Sequence, residues 1–230
     1  MKIGILQTGH APDELLGKLG DYDAMFERLL GGHGFEFETF NVVDMEFPDS
    51  PDAADGWLIT GSRHGAYDDL PFIPPLEDLI RTVHDGDRPL VGICFGHQIV
   101  AQALGGKVEK FEGGWAVGRT EYIYRGAPLA LNAWHQDQVT EVPDGAIVMA
   151  HNKFCRAAAL AYGDRIWTIQ PHPEFGSEAI EGLVESRGRG VVPDDLIDQA
   201  IAGLSGPTAG ARIAEDIAAF LKREKKEAAA

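Results

Sequence analysis

Residues 90–100 read Leu90-Val91-Gly92-Ile93-Cys94-Phe95-Gly96-His97-Gln98-Ile99-Val100. The apolar run 90–94 has the length and composition of a buried strand, and it passes into helix-forming sequence with no loop between them. A chain that turns from strand to helix in one step bends sharply, and the residue at the bend sits in strained backbone. Cys94 occupies that position. Gly92 and Gly96 stand two residues to either side, where any side chain would collide with its neighbours in such an elbow. The helix beginning after Cys94 aims unpaired NH groups and the positive end of its dipole at the sulfur, which favours the reactive thiolate. Taken alone, the elbow serves two readings equally: a nucleophile, or a buried cysteine at a strand end.

Outward from the elbow, short apolar runs alternate with helix-period segments, the pattern of an α/β fold with a largely parallel sheet. Residues 3–6, 35–40, 56–59 and 90–94 are the expected strands. Leu15, Leu19, Tyr22, Phe26 and Leu29 recur at intervals of 4, 3, 4 and 3, which predicts one covering helix ended by Gly31 and Gly32. Pro74 and Pro75 suit the start of a second helix, with Leu76, Leu79, Ile80 and Val83 on its buried face. From 107 to 170 the character changes to short β-rich runs (120–124, 146–150 and 165–170), expected as antiparallel additions to the sheet. Ser177 is the expected N-cap of a helix using Ile180, Leu183 and Val184, and Pro193 opens another using Leu196, Ile197, Ala200, Ile201 and Leu204. A last helix buries Ile213, Ile217, Phe220 and Leu221. The expectation is one domain over 1–221, a three-layer sandwich whose mostly parallel central sheet, with antiparallel additions, is flanked by helices. Residues 222–230 are expected to be a solvated tail. The active site is expected at the C-terminal edge of the parallel strands.

The chain has 230 residues, 44% hydrophobic and 24% charged, a balance suited to a globular protein. Its formal net charge of −16 argues against nucleic acid or anionic lipid as a partner. No stretch approaches the ~20 apolar residues of a spanning helix, and the N-terminus lacks a signal-peptide profile, so a cytoplasmic protein is expected. Two cysteines, Cys94 and Cys155, supply neither a disulfide framework nor a CxxC pair. Cys155 is expected in the core. His64, His97 and His151 show no metal-ligand spacing, and neither a metal nor an organic cofactor is expected.

A cysteine nucleophile needs a base, and the base needs a group that fixes its tautomer. His172-Pro173-Glu174, after the apolar run 165–170, offers both within three residues. In a surface turn such a pair is ordinarily just solvated, and its weight comes from its combination with the elbow.

Together these motifs resemble the class I (triad) glutamine amidotransferases, and among them the glutaminase domain of GMP synthases and its stand-alone relatives. Residues 92–98 match that family's Gly-x-Cys-x-Gly-x-Gln elbow, 172–174 match its His-Pro-Glu, and the resemblance covers about residues 1–185. It implies a flavodoxin-like fold with Cys94 as nucleophile, His172 as general acid and base, Glu174 as orienting carboxylate, and Gln98 helping to hold the substrate. It implies an oxyanion hole made by the backbone NH of Phe95 and of Ser62, in the Thr60-Gly61-Ser62-Arg63 stretch where the family commonly has Gly-Gly-Pro. That departure bears on loop shape more than on chemistry, because the donor is backbone. Trp134-His135-Gln136-Asp137 stands where the family has a Ser-His-Gly-Asp-like loop, making His135 and Gln136 candidate substrate ligands. Arg63, His64 and Tyr67-Asp68-Asp69 are candidates for lining a wider leaving-group side.

GMP synthases join this glutaminase domain to an ATP-pyrophosphatase domain whose nucleotide-binding loop is rich in Ser and Gly and ends with an acidic residue; the sequence carries no such loop, so a complete synthase in this chain is not expected. Three functions follow: a glutaminase subunit handing ammonia to a separate synthetase, a self-sufficient hydrolase of γ-glutamyl amides or peptides, or a binding or regulatory module. The complete Cys94, His172, Glu174 set argues against the third.

Overall fold

The computed structural model describes residues 1–86 and 88–223. Strand β1 (Lys2–Leu6) pairs in parallel with β2 (Glu36–Phe40) and β3 (Gly56–Ile59), and β3 pairs with β4 (Leu90–Ile93). Next come β5 (Lys107–Lys110), β6 (Ala116–Tyr124), β7 (Ala127–His135), β8 (Asp137–Glu141), β9 (Ala146–His151), β10 (Ala159–Tyr162) and β11 (Ile166–Ile169). The main sheet runs β2-β1-β3-β4-β11-β10-β9-β6-β7, and β5 pairs with β8 in a separate ribbon.

Helices α1 (Asp13–Leu19), α2 (Tyr22–Leu29), α3 (Ile73–Asp85), α4 (Phe95–Ala103), α5 (Ser177–Leu183), α6 (Asp194–Ala202) and α7 (Gly210–Leu221) complete the chain. The period-two alternation of the parallel strands sorts their side chains between two covering layers. Ile3, Ile5, Leu58, Val91 and Ile93 pack with Phe26 of α2 and with Ile213, Ile217 and Phe220 of α7. Leu6, Trp57, Ile59 and Leu90 point the other way, onto α3 and α4. The fold is the expected three-layer sandwich, and each fully buried Leu or Ile contributes roughly 1.5–3 kcal/mol of transfer free energy to it. Among the described residues no helix is long and apolar enough to cross a membrane.

Three local expectations need correction. The helix expected through residues 15–29 is two helices, because Gly20 takes φ +71° and ends α1, while Asp21 starts α2 by accepting the Tyr22 NH at 2.8 Å. The run 165–170 is not an antiparallel addition alone: β11 pairs in parallel with β4 on one side and antiparallel with β10 on the other. It is the seam between the two halves of the sheet. Ser177 is the first residue of α5 rather than its cap, which is Gly176, and its side chain makes no capping bond. The expected tail lies outside the described residues from position 224 onward.

Candidate active site

Cys94 sits between β4 and α4 with φ +53° and ψ −102°, a conformation that L-residues rarely adopt and that costs about 1–3 kcal/mol. The surroundings hold it there. The Cys94 NH donates to Ile169 O at 2.9 Å and the Gly96 NH to Thr60 O at 3.2 Å, clamping the elbow between β11 and the loop after β3. A Cβ on Gly92 would lie 2.5 Å from Gly96 O, and one on Gly96 would lie 2.5 Å from Ile59 O, so both positions demand glycine for the close approach read from the sequence.

His172 and Glu174 follow β11, so the parallel pairing of β11 with β4 delivers both halves of the site to the same sheet edge. A backbone bond from the His172 NH to Asn132 O, at 2.8 Å, ties this loop to β7, and Asn132 Nδ2 donates to Phe175 O at 2.8 Å. The imidazole stacks on Phe175 with centroids 4.0 Å apart and planes 5° from parallel. Nδ1 lies 2.6 Å from Glu174 Oε1. Burial pushes the His172 pKa down, but the charges of Glu174 and Cys94, with the hydrogen bonds they make to the ring, outweigh it and raise the pKa to about 10. A Cβ placed on Gly61 would stand 2.9 Å from His172 Cε1 and 3.6 Å from Cys94 Cβ, so thiol and imidazole flank the same glycine.

The loop after β3 keeps its shape through side-chain bonds. Ser62 Oγ donates to Thr8 O at 2.7 Å and accepts the His64 NH at 3.2 Å, while Thr8 Oγ1 donates to Thr60 O and Gly61 O. The backbone NH groups of Ser62 and Phe95 donate to no acceptor among the described residues.

Cys94, His172 and Ser62 open onto a cavity of about 610 Å³ that Gln98, Gln136, Arg63, His64, Tyr67 and Asp68 also line. Asp69 does not line it. Gln98 Nε2 donates to Asp137 O at 3.0 Å and to Gln170 Oε1 at 3.1 Å, and Gln136 Nε2 donates to Phe111 O at 3.3 Å. His135 is 4% exposed and lies behind the wall rather than on it, with Nδ1 3.1 Å from Asp137 O. Trp134 and His135 belong to the end of β7, and the turn falls at Gln136. Cys155 is buried in the core, where burial pushes its thiol up to about 12. Tyr22, Trp115, Phe175 and Arg187 also line the cavity, and sequence reasoning singled out none of them as site residues.

The class I glutamine amidotransferase family model matches residues 31–184, spanning both the elbow and the His172–Glu174 pair. The chain belongs to the class I glutamine amidotransferase family. Gamma-glutamyl peptidase 4 of Arabidopsis thaliana is 32% identical over 210 residues, covering 84% of this chain and 78% of the relative. A glutamine-hydrolysing GMP synthase subunit of Methanopyrus kandleri is 34% identical over 152 residues, 59% of this chain and 73% of that protein. The crystal structure of a glutamine amidotransferase from Methylobacillus flagellatus superposes with a TM-score of 0.74 at 22% identity, over 99% of this chain and 98% of the other. That likeness shows the fold. The chain therefore shares the mostly parallel, helix-flanked sheet of class I amidotransferases.

Proposed function

We propose that this chain hydrolyses γ-glutamyl amide bonds through a thioester on Cys94. The observation that carries the reading is that a strained Cys94 and a His172 held by buried Glu174 flank the same glycine and open onto one cavity, with the NH groups of Ser62 and Phe95 left without an acceptor among the described residues. The Cys94 thiolate attacks the γ-carbonyl carbon. The Ser62 and Phe95 NH groups take the developing oxyanion, each such donor contributing about 10²–10³ in rate. His172, held through Nδ1 by Glu174, gives its proton to the amine as the C–N bond breaks, then draws a proton from the water that attacks the thioester and releases glutamate. Gln98 and Gln136 are assigned to the glutamyl half, with His135 acting from behind them through the Asp137 carbonyl.

Two features support a free-standing hydrolase of γ-glutamyl peptides or amides over a glutaminase subunit serving a synthetase. The cavity extends past the oxyanion loop along Arg63, His64, Tyr67 and Asp68, more room than ammonia needs as a leaving group. The similarity to a gamma-glutamyl peptidase also spans more of the chain than that to the GMP synthase relative. The test is glutamate production from a panel of γ-glutamyl compounds, by the chain alone and then with a candidate synthetase and ATP. The hydrolase reading expects release without ATP, faster from a γ-glutamyl peptide or substituted amide than from glutamine. A chain inert on the whole panel, but switched on toward glutamine by ~10²-fold or more by a synthetase, contradicts it.

A further inference from the structure

The walls of the cavity differ in charge compensation. Asp68 is committed to the Gly65 NH, at 2.9 Å, and Asp137 faces Tyr67 and Lys110. The guanidinium groups of Arg63 and Arg187 make no ion pair among the described residues, although the chain carries a formal net charge of −16. Arg187 is nevertheless held in place. It sits in a π-helical turn (Val184–Gly188) that follows α5, an irregularity that re-aims side chains and is frequent at functional sites. Its Nη2 donates to His10 O at 3.2 Å, and the group lies beside Tyr22. The positive field registers at His64, whose pKa burial lowers and the Arg63 and Arg187 charges lower further, against an opposing effect of Asp68.

The position of this wall relative to the chemistry follows from the aromatic side chains. His172 stacks on Phe175, Phe175 lies 6.3 Å from Tyr22, and Tyr22 adjoins Arg187. Arg187 therefore lines the same cavity as His172, the group that protonates the departing amine, and is joined to it through Tyr22 and Phe175. A fixed, uncompensated guanidinium in a half-enclosed cavity binds carboxylate through paired, charge-assisted hydrogen bonds. We infer that Arg187, with Arg63, forms a carboxylate subsite for the departing amine, so that the preferred substrates are γ-glutamyl amino acids or peptides rather than γ-glutamyl amides of uncharged amines. This inference rests on the hydrolase reading above.

The test uses matched pairs that differ only in that carboxylate: γ-glutamylglycine against γ-glutamylglycinamide, and γ-glutamylalanine against γ-glutamylalaninamide. The ratio of kcat/KM within each pair is measured for wild type, Arg187→Met, Arg187→Lys and Arg63→Met. Wild type is expected to favour the acid by about 10-fold or more, as suits a charge-assisted contact. Arg187→Met should bring the ratio below about 3, and Arg187→Lys should recover part of it. A wild-type ratio near 1, or an Arg187→Met variant that loses both members of a pair equally, overturns the subsite. Failure of the hydrolase reading looks different, since wild type then releases no glutamate from any of the four compounds. In that event, calorimetric titration of Cys94→Ala with each pair reads the same discrimination without turnover, and equal affinities for acid and amide overturn the subsite.

Discussion

His172 Nδ1 stands 2.6 Å from Glu174 Oε1, and neither side chain has appreciable contact with solvent, at 4% and 0% exposure. That relationship divides the labour of the site. Glu174 fixes the imidazole tautomer and stabilises the imidazolium, whereas His172 itself moves the proton. His172→Ala should therefore lower turnover by at least about 10³-fold, with Glu174→Gln milder by an order of magnitude or more. Steady-state kinetics on the best γ-glutamyl substrate checks this, and equal losses at the two positions would give the carboxylate a more direct part.

The two cysteines separate in the same assay. Cys94→Ala should remove activity by at least about 10³-fold while leaving the fold intact, as circular dichroism would show. Cys155→Ser should keep most of the activity and lose some stability by placing a hydroxyl among apolar neighbours. Residual activity above a tenth of wild type in Cys94→Ala would remove it as nucleophile.

The elbow also makes a packing prediction. Gly96→Ala drives a Cβ to 2.5 Å from the Ile59 carbonyl oxygen and should cost roughly 3 kcal/mol or more, read as a lower urea midpoint or failure to fold. Gly17→Ala, in the exposed interior of α1 with nothing within 4 Å of the new Cβ, should instead raise stability by about 0.5–1 kcal/mol.

Buried, neutral imidazoles tie stability to pH. Burial pushes His97 down to about 3 and His135 down to about 4, each from an ordinary value of 6.5. Below pH 6.5 the unfolded chain takes up protons that the folded chain refuses, so stability should fall as pH drops from about 6.5 toward 4, by up to about 1.4 kcal/mol per pH unit for each residue. In His97→Gln the slope over this window should shrink by up to one proton's worth. Denaturation midpoints between pH 4 and 7 measure it, and an unchanged slope would mean His97 titrates in the folded state.

Much of this arrangement is legible in the sequence where one local rule decides the outcome. The glycines around Cys94 mark the elbow because the close backbone approach they permit is a property of residues 90–100 alone. The apolar runs at 3–6 and 56–59 likewise become β1 and β3, since buried parallel strands read as continuous hydrophobic stretches. The spacing through residues 15–29 misleads because helical periodicity continues across a break. Gly20 and Asp21 are visible stop and start signals, but five apolar residues in phase outweigh them. The parallel pairing of β11 is not local, as it depends on which strand lies beside β4. Arg187 is invisible as a site residue for a related reason. Its direction comes from a π turn and its neighbourhood from Tyr22 and His10, far away in the chain.

The central claim, a γ-glutamyl thioester formed on Cys94, is tested most directly by treating the protein with a γ-glutamyl-directed alkylating analogue and locating the adduct by peptide mass spectrometry. The account predicts one adduct per chain, on Cys94, lost in Cys94→Ala and suppressed by a γ-glutamyl substrate. Modification of Cys155 or another residue in its place, or labelling that substrate does not suppress, would contradict it.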